Sequence, residues 1–279
     1  MVRRSSAIWF VLLTFLLCVV VADYATTSLR AEELPLKPGE EIVTLNTRPG
    51  VSVRVLLSSP VGDPTALFIL FSGRAGQLVN RDGQIRYRWV ISGLVERGFV
   101  VATLDVPSDQ GGQGFTDNFK NSDAHVADTI KVIEFLSKKW NKPMFLYSHS
   151  RGALSAAQPA IAIKNRKLGG IVLPGSPQRD SSRRTQLSSL TLEKISQPTL
   201  FIHHKEDGCH GIDAVRKQCD RIVASPKVTF VEVVGGESSF FADRCGGGTP
   251  HCCAGRYDEV ITITSDRATG KAVPERIGE

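Results

Sequence analysis

The sequence predicts an α/β fold, a mainly parallel central sheet covered by helices on both faces. Three observations carry that expectation. The runs "ALFILF", "FVVATLDV" and "MFLYS" are continuously apolar, as strands buried on both sides must be. Helix-length segments alternate with such runs, the pattern of βαβ units. At 279 residues, 42% hydrophobic and 22% charged, the chain suits one large domain better than two small ones.

The elements follow in order. "EIVTLNT" and "VSVRVLLSS", parted by Arg48-Pro49-Gly50, read as an antiparallel pair. "ALFILF" leads into Ser72-Gly73-Arg74-Ala75-Gly76 and a helical segment around "YRWVISGLVERG", closed by Gly98. After "FVVATLDV", Asn121 or Ser122 can cap a helix running to about Trp140, with Val126, Ile130, Ile133, Phe135 and Leu136 as its apolar side. "MFLYS" then feeds a helix from Gly152 to Lys164. "GGIVLPGS", "QPTLFIHH" and "KVTFVEVV" are further strands, with a helix from about Ile212 to Val223 between the last two. A final helix covers Tyr257 to about Thr264. The link between "GGIVLPGS" and "QPTLFIHH" is polar and modest in length, which leaves no room for a large cap domain.

The expected organisation is a leader at 1–22, a linker at 23–40, the folded domain at 41–265 and a loosely ordered tail at 266–279. Arg3 and Arg4 precede an unbroken apolar run from Ala7 to Val21, and Val20-Val21-Ala22 offers small residues for cleavage. That is the make-up of a secretory signal, and the run is short for a membrane-spanning helix; an uncleaved anchor is the alternative. The protein is therefore expected outside the cytoplasm, periplasmic or secreted, with membrane contact only through such an anchor. Beyond Cys18 the five cysteines, Cys209, Cys219, Cys245, Cys252 and Cys253, all lie in the last third, as local bridges in an oxidising compartment would. The net charge of +6 comes from scattered Lys and Arg, the nearest cluster being Arg179, Arg183 and Arg184 in a Ser-rich loop, so nucleic acid is not an expected partner.

Chemistry concentrates around "MFLYSHSRGALSA". Ser150 stands between an apolar strand and an Ala/Leu-rich helix, in Ser148-His149-Ser150-Arg151-Gly152. A nucleophile on such an elbow needs small residues two before and two after it, so that strand and helix backbones can approach. Gly152 meets that need, and Ser148 is small. Read alone, Ser150 is equally a helix N-cap. An acid, Asp207, follows the strand "TLFIHH", where Asp-Gly also makes an ordinary turn. Of the histidines, His125 lies in a helix, His149 in the elbow, and His203 and His204 end a strand. His251 lies in a loop after "KVTFVEVV", before the last helix. The order Ser150, Asp207, His251, each beyond a strand, is that of one class of hydrolytic triad. The main-chain N–H groups of Arg151 and Arg74 are the candidate oxyanion donors. Neither GxxxxGK[ST] nor GxGxxG occurs, and no cofactor is expected.

On these residues the chain resembles the α/β-hydrolase family over about 42–265, and is most similar to small exported bacterial serine hydrolases with a Cys-containing loop before the histidine. The resemblance implies the α/β-hydrolase fold, with Ser150 as nucleophile, Asp207 as acid and His251 as base. It implies acyl transfer on a small-molecule ester or related acyl substrate, with peptidase, thioesterase or lactonase chemistry open to the same trio. Cys209 with Cys245 is the expected bridge, since it would clip the Asp207 loop to the His251 loop; Cys219 with Cys252 or Cys253 would form a second, connectivity being open. Two further readings stand beside this one: a zinc site among the cysteines with His210 and His251, disfavoured by the absence of a CxxC pair, and a non-catalytic binding protein on the same fold.

Overall fold

A computed structural model describes residues 34–111, 114–164, 168–176, 186–237 and 243–279. The leader, part of the linker, and Arg179, Arg183 and Arg184 lie outside the described residues.

β1 (Glu40–Arg48) and β2 (Val51–Ser58) form the expected hairpin, turned at Pro49-Gly50, where Gly50 has φ 69°. β2 pairs antiparallel with β4 (Val100–Leu104), and every later pairing is parallel. The nine strands lie in the order β1-β2-β4-β3-β5-β6-β7-β8-β9, where β3 is Leu67–Phe71, β5 Met144–Ser148, β6 Leu168–Pro174, β7 Thr199–His204, β8 Val228–Val233 and β9 Arg276–Ile277. From β3 the chain crosses to β4 on one side and returns to β5 on the other. The winding direction therefore reverses between β3 and β5, and the crevice beyond their carboxyl ends is where ligands bind in open α/β sheets.

The sheet's alternation sorts the core into two layers. Leu67, Ile69, Phe71, Met144 and Leu146 pack with α3 (Asp123–Trp140), α4 (Gly152–Ala162) and α5 (Ile212–Cys219) through Val132, Leu136, Ala153, Ala157 and Val215. Phe68 faces the other way, against Phe99, Phe145 and Tyr147. There α1 (Arg88–Glu96) meets α6 (Tyr257–Ala268), with Gly93 set against Ile261 and the Trp89 and Tyr257 ring centroids 4.5 Å apart, their planes tilted by 32°. Each fully buried Leu, Ile or Phe in these layers contributes about 1.5–3 kcal/mol.

Two local features explain residues that motif reading left open. Ser122 caps α3, its Oγ accepting the His125 N–H at 3.3 Å. Pro159 lies inside α4 and has no N–H to offer the Ser155 carbonyl one turn back. His125 Nε2 donates to that carbonyl at 2.9 Å. Burial pushes His125 down to about 4, so it stays a neutral donor whose place is structural.

Two expectations need correction, and one element is new. The segment after 265 is not loose: α6 continues to Ala268, and β9 pairs with β8 through Val234 N–H to Ile277 O at 3.0 Å. A two-residue strand leaves no periodic signal in sequence. A short helix, α2 (Asp117–Lys120), precedes α3; Thr116 caps it, accepting the Phe119 N–H at 3.1 Å. The second disulfide does not form, and Cys219, Cys252 and Cys253 are all free thiols. Cys219 packs into the α3–α5 layer, whereas Cys253 lies by Tyr147 in the other, so the sheet separates them. No large cap is inserted among the described residues: those from 186 to 198 fold into two 3-10 turns whose Leu187, Leu190, Leu192 and Ile195 enter the core.

Candidate active site

Ser150 occupies the turn from β5 into α4 with φ 53°, a left-handed conformation that non-glycine residues seldom adopt. The turn is held by Ser150 N–H to Pro174 O at 3.1 Å and Gly152 N–H to His149 O at 2.9 Å. A Cβ on Gly152 would stand 2.4 Å from Phe71 O, so α4 can begin against the end of β3 only because residue 152 lacks one. Ser148, two residues before Ser150, is fully buried with its side chain accommodated.

Asp207 is anchored by its own loop. Its Oδ1 accepts the N–H groups of Cys209 and His210 at 2.7 and 3.1 Å, an Asx turn set by the Asp-Gly sequence. Its Oδ2 lies 2.8 Å from His251 Nδ1 and 3.4 Å from His203 Nε2. Burial alone would raise this carboxyl; the hydrogen bond and charge of His251, with the charge of His203, outweigh it and hold Asp207 below its ordinary value. A carboxylate oxygen only accepts, so His251 carries its proton on Nδ1 and leaves Nε2 as an acceptor. That Nε2 is buried and has no hydrogen-bond partner among the described residues.

Ser150 and His251 each lie against Pro174-Gly175, at the end of β6. Pro174 O binds the Ser150 N–H, and a Cβ on Gly175 would fall 2.9 Å from His251 O and 3.3 Å from His251 Cε1. The Ser150 hydroxyl does not hydrogen-bond His251 Nε2, and catalytic contacts of this kind commonly tighten only with substrate.

The loop after β3 faces the elbow. Arg74 has φ 52° in a turn closed by Gly76 N–H to Gly73 O at 3.0 Å. The buried Lys120, carried by α2, donates from Nζ to Arg74 O at 2.6 Å, and Phe115 N–H donates to Ala75 O at 2.7 Å. The main-chain N–H groups of Arg74 and Arg151 have no hydrogen-bond partner among the described residues.

His149, beside Ser150, ties three loops together. Its Nε2 lies 3.0 Å from His251 O, so that nitrogen donates, and Nδ1 is left to accept from Tyr87 Oη at 3.3 Å. Tyr87 Oη in turn accepts the Gly73 N–H at 3.1 Å. The chain runs in one donor-to-acceptor direction from the Gly73 loop to the His251 loop. Burial, reinforced by the charge of His251, pushes His149 down to about 3, and burial pushes Tyr87 up to about 12, so both stay neutral. Tyr87, Lys120 and Gly175 carried no sequence signal of this role. His149 was visible in the elbow, though its partners were not.

The expected bridge, Cys209–Cys245, is present and joins the Asp207 loop to the segment leading into His251. Cys209 Sγ, a His210 nitrogen and a His251 nitrogen lie within 4.8 Å of one another. With Cys209 oxidised and His251 Nδ1 engaged by Asp207, that trio keeps at most two imidazole nitrogens, fewer than the three protein ligands of a zinc site. Burial also raises the free thiols beside His251, Cys252 to about 11, so they are protonated at neutral pH.

No protein-family model matches the chain, and no curated protein matches it in sequence. Solved structures do match in shape. An alpha-beta serine hydrolase homologue from Coxiella burnetii superposes at TM-score 0.55 and 18% identity, covering 83% of this chain and 97% of that one. A cold-adapted esterase from an Arctic intertidal metagenomic library superposes at 0.59 and 14%, covering 85% and 97%. An α/β serine hydrolase without a lid from Xanthomonas campestris superposes at 0.53 and 16%, covering 86% and 99%. The chain has the α/β-hydrolase fold.

Proposed function

We propose that the protein is a serine hydrolase that cleaves a carboxylic ester, or a related acyl bond, through an acyl-enzyme on Ser150. The observation that carries this reading is the buried His251–Asp207 pair, whose unpartnered Nε2 lies at the same strand end as a serine in a left-handed turn. In the first step His251 Nε2 takes the Ser150 proton as Oγ attacks the substrate carbonyl. The N–H groups of Arg74 and Arg151 receive the oxyanion. His251 then gives its proton to the departing alcohol, and a water, deprotonated by the same nitrogen, releases the acid. Asp207 fixes the imidazole tautomer and offsets its charge while it is protonated.

Export belongs to the same proposal. The Cys209–Cys245 bridge is compatible with an oxidising compartment, and among the described residues no helix is long and apolar enough to cross a membrane. Turnover of a panel of 4-nitrophenyl esters by the oxidised protein tests the activity. Wild type is expected to hydrolyse short esters, with Ser150→Ala reduced by on the order of 10³-fold or more. Equal rates for the two proteins would overturn the assignment and favour a binding role.

A further inference from the structure

A cavity of about 370 Å³ opens beside the proposed nucleophile, lined by Arg74, Ala75, Phe115, Thr116, Asp117 and Arg151. Its charges are not balanced. Arg151 is ion-paired to Asp117, and the Lys120 ammonium lies 3.9 Å from the same carboxylate, so two cations share one anion. Lys120 has no exposed side-chain surface, and the Arg151 and Asp117 side chains are 22% and 15% exposed. The other oxygen on Lys120 Nζ is the neutral carbonyl of Arg74. Asp109 and Asp128 are taken up by Arg48, which bonds both. Asp243 pairs with Arg74 at 3.3 Å, but both side chains are more than 60% exposed and solvent screens the pair.

Buried charges are ordinarily matched one for one, because an uncompensated ion in a desolvated site costs several kcal/mol. Here the shortfall shows in the lysine itself: burial, then repulsion by Arg151, pushes Lys120 down to about 8 against the attraction of Asp117. The lining also has no aliphatic slot, only Ala75 and Phe115 being apolar.

Resting on the serine-hydrolase reading, we infer that the substrate is an ester bearing a carboxylate, which enters this cavity against the partly exposed Arg151 guanidinium and supplies the negative charge that Arg151 and the Lys120 ammonium buried behind the lining lack. A neutral ester of the same size leaves the pocket unbalanced, and a long alkyl chain would bury against charged groups.

The test compares matched esters at pH 7 and low salt: the 4-nitrophenyl monoester of succinic acid against the 4-nitrophenyl ester of its methyl monoester, and the butyrate of 4-hydroxybenzoate against that of 4-hydroxybenzamide. The anionic member of at least one pair is expected to have a higher kcat/KM by on the order of tenfold, one well-placed ion pair's worth, and added NaCl is expected to shrink the ratio. Arg151→Gln should bring the ratio near one, while Asp117→Asn, which frees Arg151, should raise it; a merely destabilised protein would slow both esters alike. A ratio near one for both pairs in wild type, or a ratio unmoved by both variants, overturns the inference. Labelling of Ser150 by a fluorophosphonate in the same preparation keeps the two claims apart: labelled enzyme without charge preference sinks only the substrate class, and unlabelled, inactive enzyme sinks the hydrolase reading with it.

Discussion

His149 Nε2 donates to the main-chain oxygen of His251 across 3.0 Å, so the residue beside the proposed nucleophile holds the loop of the proposed base. Through Nδ1 and Tyr87 Oη the same ring reaches Gly73, where the loop of the second oxyanion donor begins. Three chain segments that must agree to within a fraction of an ångström thus share one neutral imidazole.

Removing the middle of that chain is informative because Tyr87→Phe deletes a single oxygen. It leaves the Gly73 N–H without its acceptor and His149 Nδ1 without its donor, at a cost of about 1–3 kcal/mol. Urea unfolding should show that loss at an unchanged m-value. Ester turnover should fall mainly in kcat, on the order of 10- to 100-fold, because the damage is to positioning.

The elbow's steric demand gives a second prediction. Gly152→Ala places a methyl 2.4 Å from Phe71 O, a backbone atom that cannot swing aside. The variant is expected to lose about 1–3 kcal/mol to overpacking, with kcat falling further than the stability loss explains. Full activity would show that β3 and α4 can separate without cost.

Reduction tests the tether. The Cys209–Cys245 bridge closes a loop across a sequence separation of 36, and its loss frees about 4 kcal/mol of unfolded-state entropy. Cys209→Ser with Cys245→Ser should lower Tm by several degrees, and activity should drop at temperatures where the protein is still folded. Mild reductant should reproduce both effects in wild type.

Acid should destabilise the fold well above the carboxylate range. His125 and His210 are pushed down to about 4 and His149 to about 3, chiefly by burial, from an ordinary value of 6.5. A depressed histidine is neutral in both states above about 6.5, so its full contribution is present there. As pH falls below that, the unfolded chain binds protons that the folded one refuses, and each histidine removes up to about 1.4 kcal/mol per pH unit until its folded value is reached. Urea midpoints should be flat from pH 8 to 7 and fall steeply from 6 to 4. A flat profile down to pH 5 would mean that these imidazoles are hydrated.

Much of this was legible from sequence because it is local. Buried strands announce themselves as apolar runs, Ser150 by the small residues around it, and His251 by its place after the β8 run. Pairing of Cys209 with Cys245 followed from the loops they occupy. What escaped was long-range or too short to be periodic. Tyr87 and His149 are 62 residues apart, and nothing in either neighbourhood names the other. Lys120 reads as a solvated charge in a polar segment until α2 turns it inward onto Arg74. β9 is two residues long, and a second disulfide could be excluded only once the sheet was seen to separate Cys219 from Cys253.

The most direct measurement is peptide-level mass spectrometry of the oxidised protein after exposure to a fluorophosphonate. A single covalent adduct on Ser150 is expected, blocked by prior incubation with a substrate ester and strongly slowed in His251→Ala and Asp207→Asn. A folded protein that remains unlabelled, or an adduct on another serine that survives Ser150→Ala, would contradict the Ser150 assignment.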